Sequence, residues 1–75
     1  MQEKVPIAMQ SDALNNRGVD AYENGNVVEA IKFYELALAI MPNNDDALKN
    51  LRICYSEIGL YQKSAEVIKK LNYLS

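Results

Sequence analysis

The sequence predicts an all-α fold built as two tandem antiparallel helical hairpins, and three observations predict it. Turn residues at Gly25-Asn26, at Pro42-Asn43-Asn44 and at Gly59-Leu60 cut the chain into four stretches. Each stretch, about 13 to 15 residues long, has no internal proline and repeats its apolar residues three or four apart, which is a helical period. Residues 11–25, SDALNNRGVDAYENG, lie over residues 45–59, DDALKNLRICYSEIG, with identities at Asp12/Asp46, Ala13/Ala47, Leu14/Leu48, Asn16/Asn50, Glu23/Glu57 and Gly25/Gly59. An offset of 34 residues is the mark of stacked repeating units. Connections of two to four residues make successive helices antiparallel.

The first helix is expected to start near Ser11 or Asp12, whose side chains can accept from the open N–H groups of a first turn. Residues 1–10 then form a separate N-terminal segment, flexible or packed on a partner through Val5, Ile7 and Met9. The second helix, between Gly25 and Pro42, is unusual: twelve of the fifteen residues from Val27 to Met41 are apolar. A surface helix needs only an apolar stripe, so this one expects protein on more than one side. The third helix is expected to begin near Asn44, with Asp45 and Asp46 favourably placed against the positive end of its dipole. The fourth, Tyr61 to Ser75, has only seven apolar residues among fifteen and reads as the outer end of the stack.

Composition narrows the function classes. A chain of 75 residues is one small domain, at a size where a single core yields little net stability and a partner is plausible. Eight Lys and Arg stand against ten Asp and Glu, a net charge of −2 without basic clusters, which speaks against nucleic acid and anionic membrane. The longest apolar run, Leu36 to Met41, is far too short to cross a bilayer, which needs about 20 residues. The N-terminal apolar stretch, broken by Pro6, is too short for a signal peptide, so with Met1 as the natural start the expected location is cytoplasmic. Cys54 is the only cysteine and histidine is absent. A disulfide framework, a Cys/His zinc site and a His-dependent triad cannot be assembled within one chain, and Cys54 reads as a buried thiol. No cofactor is expected, and no nucleophile–base couple points to an enzyme.

Leu14, Gly18, Tyr22, Gly25, Ala30, Tyr34, Ala37, Leu38 and Pro42 together resemble the tetratricopeptide repeat family, with the first-helix aromatic displaced by one position. Repeat one is residues 11–44. Repeat two, residues 45–75, matches at Leu48, Leu51, Tyr55, Gly59, Tyr61, Ile68 and Leu71. It departs at Arg52, where the family has a small residue, and at Ser64, where it has Ala, which puts the close approach of the third and fourth helices in question. The resemblance explains the second helix: it is sandwiched between its own partner helix and the first helix of repeat two. At the positions where repeat two presents Leu51 and Cys54 to the preceding repeat, repeat one has Arg17 and Asp20. Such polar residues suit a terminal repeat, and the chain reads as a two-repeat unit.

By this resemblance the protein is a non-catalytic scaffold that binds a peptide or helix of a partner protein along a concave groove lined by the first helix of each hairpin. The groove positions implied are Asn15, Val19, Tyr22 and Glu23, then Lys49, Asn50, Ile53, Ser56 and Glu57. A carboxylate clamp of the chaperone-binding kind is not expected, because Asn50 matches that pattern while Asn15 and Val19 do not. Glu23 and Glu57 read as a solvated face rather than a catalytic pair. The five tyrosines read mostly as packing, without the basic groove that base stacking would need. The alternative function is self-association. Solenoids generally need about three repeats for stability, and Val67, Ile68, Leu71 and Leu74 leave the last helix an apolar face on which a two-fold homodimer would form.

Overall fold

The computed structural model describes residues 4–74. It consists of α1 (Ile7–Glu23), α2 (Val27–Ile40), α3 (Asp45–Glu57) and α4 (Tyr61–Leu74), with no strand among the described residues. α1 pairs with α2 and α3 with α4, and the two hairpins stack chiefly through α2 against α3, with a smaller contact between α1 and α3. No helix is long and apolar enough to cross a membrane among the described residues.

α1 begins a turn earlier than the sequence predicts. Pro6, fixed near φ −55° with ψ 145°, is the entry residue, and its carbonyl accepts the Gln10 N–H at 3.0 Å. A proline suits this position because its missing N–H would have had no helical partner there. Residues 7–10 therefore belong to the first turn of α1, with Ile7 and Met9 mostly exposed, whereas residues 1–3 lie outside the described residues. Ser11 consequently does not cap α1. It is fully buried, donates to the Ala37 carbonyl at 2.8 Å and accepts from Asn44 Nδ2 at 2.8 Å.

Asn44 caps α3 as expected, its Oδ1 accepting the Ala47 N–H at 3.2 Å, and Asp45 and Asp46 occupy the first turn. The Ser11–Asn44 pair thus joins the beginning of α1, the end of α2 and the beginning of α3 in one buried polar knot. Gly25 and Gly59, at φ +82° and +81°, end α1 and α3 with the same geometry. In each, the glycine N–H and the next N–H turn back onto carbonyls of the last helical turn, Tyr22 and Ala21 in one case, Ser56 and Tyr55 in the other.

The core lies where α2 meets α1 and α3. Ala30, Ile31, Tyr34 and Ala37 of α2 are buried against Ala21 of α1 and Leu48, Leu51, Cys54 and Tyr55 of α3. Gly18 makes room for the Tyr34 ring, which a Cβ at that position would overlap. The wedged position of α2 accounts for only part of its apolar surplus. Val28 and Leu36, 61% and 52% exposed, lie two turns apart on a third side that no helix of the chain covers.

The departures at Arg52 and Ser64 do not hold α3 and α4 apart. Ser64 is buried, its hydroxyl donates to the Arg52 carbonyl at 3.1 Å, and Ser56 Oγ lies 2.8 Å away as the remaining partner. A small hydroxyl replaces the family's methyl and finds acceptors on the neighbouring helix. Val67 packs into the same core at 8% exposure, so it is no part of an open oligomer face.

Candidate functional site

α1 and α3 run side by side in the same direction, and two polar links hold them in register. Asn50 Nδ2 donates to Asn15 Oδ1 at 3.0 Å, and the Tyr22 hydroxyl donates to Glu57 Oε1. The second link holds the Tyr22 phenol above its usual pKa range, because the neutral phenol is the donor to the carboxylate. Between the links lies an apolar strip: Val19, half-buried on the core, and Ile53, 39% exposed. Beneath Ile53 is a dimple of about 80 Å³ bounded by Tyr22, Tyr34, Asn50 and Cys54. That volume fits a side chain and is well below the ~300–1,000 Å³ of small-molecule sites.

The structure sorts the nine groove positions into four sets. Val19, Tyr22, Asn50, Ile53, Glu23 and Glu57 come together on the α1–α3 face, with the two glutamates exposed. Asn15 is 8% exposed and committed to Asn50, so it positions α3 rather than meeting solvent. Ser56 turns towards α4, against Ser64, and is removed from the groove by that bond. Lys49 lies at the margin, paired with Asp45 at 3.5 Å and bordering the cleft formed with Leu71 and Leu74.

The structure adds two residues to the face that the sequence reading did not single out. Asp12 and Asp46 lie seven residues before Val19 and Ile53, hence on the same side of their helices, and both are exposed. The signal was in the repeat alignment, since Asp12/Asp46 and Glu23/Glu57 are both identities across the 34-residue offset.

Elsewhere, Cys54 is buried as expected, and burial pushes its thiol up to about 11. Tyr34 and Tyr55 are core residues, each pushed up to about 12 chiefly by burial, and the Tyr55 hydroxyl also donates to Glu35 at 2.8 Å. Tyr61 and Tyr73 are exposed. On α4, Leu71 packs partly against the core, while Ile68 and Leu74 are 41% and 42% exposed.

A four-helix, two-hairpin stack with a solvent-facing groove on its first helices defines a helical-repeat scaffold. Residues 11–44, the first hairpin and the turn that follows it, match the tetratricopeptide repeat family. It is 32% identical over 53 residues to the TPR repeat-containing protein YvcD of Bacillus subtilis (strain 168). That similarity covers 71% of this chain and 11% of the relative's length. No solved structure matches the chain. Tetratricopeptide repeats generally mediate protein–protein interaction.

Proposed function

We propose that the protein is a non-catalytic interaction module that receives a peptide or helix of a partner protein on the α1–α3 face. The observation that carries this reading is Ile53. A large aliphatic side chain, 39% exposed at the centre of a face fixed by two interhelical hydrogen bonds, has packing still to gain from a partner. Val19 and Tyr22 extend the apolar contact, and Asn50 and the glutamates orient polar groups around it. Fixing α1 against α3 before binding lowers the ordering cost on association.

Affinity capture from source lysate, with the wild type and Ile53→Glu side by side, tests the reading. The variant is expected to lose the captured protein while its melting temperature stays within about 3 °C of the wild type. Equal capture by both, or a steep fall in melting temperature, contradicts it.

A second reading, self-association through α4, has its own observation. Ile68 is 41% exposed at the register where repeat one has Tyr34 at 2%, and Tyr61 beside it is 71% exposed. What α3 covers on α2 is thus open on α4. Light scattering over a dilution series separates the two: a folded monomer at micromolar concentration removes self-association, and a dimer dissociated by Ile68→Asp supports it.

A further inference from the structure

The chain's small net charge conceals an uneven distribution. α1 and α3 together carry six acidic and three basic residues, whereas α2 and α4 carry three acidic and four basic ones. The three bases of the first helices are directed away from the groove or already paired. Arg17 lies on the far side of α1 from Val19, Lys49 is paired with Asp45, and Arg52 shares the side of α3 that Ser56 turns to α4. The exposed acids Asp12, Glu23, Asp46 and Glu57 outnumber the bases of α1 and α3 on their face, where among the described residues Lys49 is the one base and is paired with Asp45.

Their arrangement is repeated. Asp12, Val19 and Glu23 follow the spacing i, i+7, i+11, and so do Asp46, Ile53 and Glu57. At 100° per residue each triplet stays within a narrow sector of its helix. Two parallel rows therefore read acid, aliphatic, acid, with the aliphatic side chain about 10 Å from the aspartate and about 6 Å from the glutamate along the axis. Carboxylates alone would describe only a solvated face. The exposed Ile53 and the half-buried Val19 between them, held in register by the Tyr22–Glu57 link, give them a place in a binding surface.

From this juxtaposition we infer that the groove takes a basic segment of a protein partner, one aliphatic side chain set between two cationic ones; the inference rests on the α1–α3 face being the binding surface. In an extended segment, at about 3.3 Å per residue, the two gaps correspond to three and two residues, the pattern Lys-x-x-Leu-x-Lys. Cations at both ends approach a pair of carboxylates each, and the aliphatic residue meets Val19 and Ile53. An anionic terminus or a nucleic acid would meet repulsion at both ends of the same face.

The test is a titration of the isotope-labelled chain, followed by amide NMR, with end-blocked peptides KSSLSK, QSSLSQ and ESSLSE. KSSLSK is expected to shift Val19, Ile53 and Glu57 and to weaken about tenfold between about 20 and about 200 mM salt. ESSLSE is expected not to bind. Glu23→Gln with Glu57→Gln is expected to weaken KSSLSK by about four- to twenty-fivefold, at two- to fivefold per exposed charge, because each replacing amide carries no charge while the one at position 57 can still accept the Tyr22 proton. Glu29→Gln with Glu66→Gln changes net charge equally on the second helices and is expected to leave the affinity unchanged. Binding of QSSLSQ to the same amides with equal affinity and no salt dependence overturns the inference but leaves the groove in place. Shifts confined to α2 or α4 with every peptide overturn both. The wild-type salt dependence decides the question without reliance on any variant.

Discussion

Gly18 and Ser11 show how single residues set the contacts on which the groove depends. At Gly18, Ala has the better helical propensity by about 1 kcal/mol, but its methyl would meet the Tyr34 ring that fills the α1–α2 interface. Gly18→Ala is expected to destabilise the fold by about 1–3 kcal/mol, read from the midpoint of urea unfolding. No change, or a gain, would show that the ring shifts aside freely. Ser11 is fully buried between the Ala37 carbonyl and Asn44. Ser11→Ala leaves Asn44 with less of its bonding and is expected to cost about 1–3 kcal/mol, whereas Asp12→Asn, exposed beside it, is expected to cost less than about 0.5 kcal/mol. The family pattern pointed to Gly18, but nothing in the residues around Ser11 distinguished a buried tie from a helix cap. Serine suits both roles, and Pro6 decided between them by starting the helix earlier.

The elements were legible where backbone chemistry is local. Gly25, Gly59 and Asn44 each terminate or begin a helix by bonds to residues within a turn or two, so the end of α1 and the whole of α3 follow from nearby sequence. The choice between groove and interior at Asn15 and Ser56 was not legible, because it depends on which helix lies opposite, Asn50 of α3 or Ser64 of α4. Likewise, Val28 and Leu36 count towards an apolar helix without revealing that they face its uncovered side. The α3–α4 contact offers a test at this scale. Ser64→Ala restores the family residue and is expected to cost no more than about 1 kcal/mol, since the Arg52 carbonyl keeps its place in the helical ladder. Ser64→Val enlarges the side chain at the point of closest approach and is expected to cost about 1–3 kcal/mol by equilibrium unfolding. The reverse order of the two variants would mean that the hydroxyl, not the small volume, joins these helices.

Across the whole molecule, one core serves both hairpins, and its titratable groups make stability depend on alkaline pH. Cys54, Tyr34 and Tyr55 are raised in the folded chain to about 11, 12 and 12 from ordinary values of 9.0, 10.0 and 10.0. A group raised on folding keeps its proton longer in the native state, so its contribution is complete below the ordinary value and is lost as pH rises towards the raised one. The urea midpoint is therefore expected to be level up to about pH 9 and to fall between about pH 9 and 12, less steeply in Tyr34→Phe. A midpoint that rises over that interval contradicts the burial of these groups. The two-hairpin plan and the acidic excess of α1 and α3 were readable from the sequence, but that Asp12, Glu23, Asp46 and Glu57 form two neighbouring rows depends on α1 lying against α3.

The measurement closest to the central claim is a map of amide shifts on the labelled chain when a captured natural partner is added. Shifts centred on Val19, Tyr22 and Ile53, fading across Glu23 and Glu57, are predicted. A footprint on Tyr61 and Ile68, or on Val28 and Leu36, with the α1–α3 face unmoved, would contradict it.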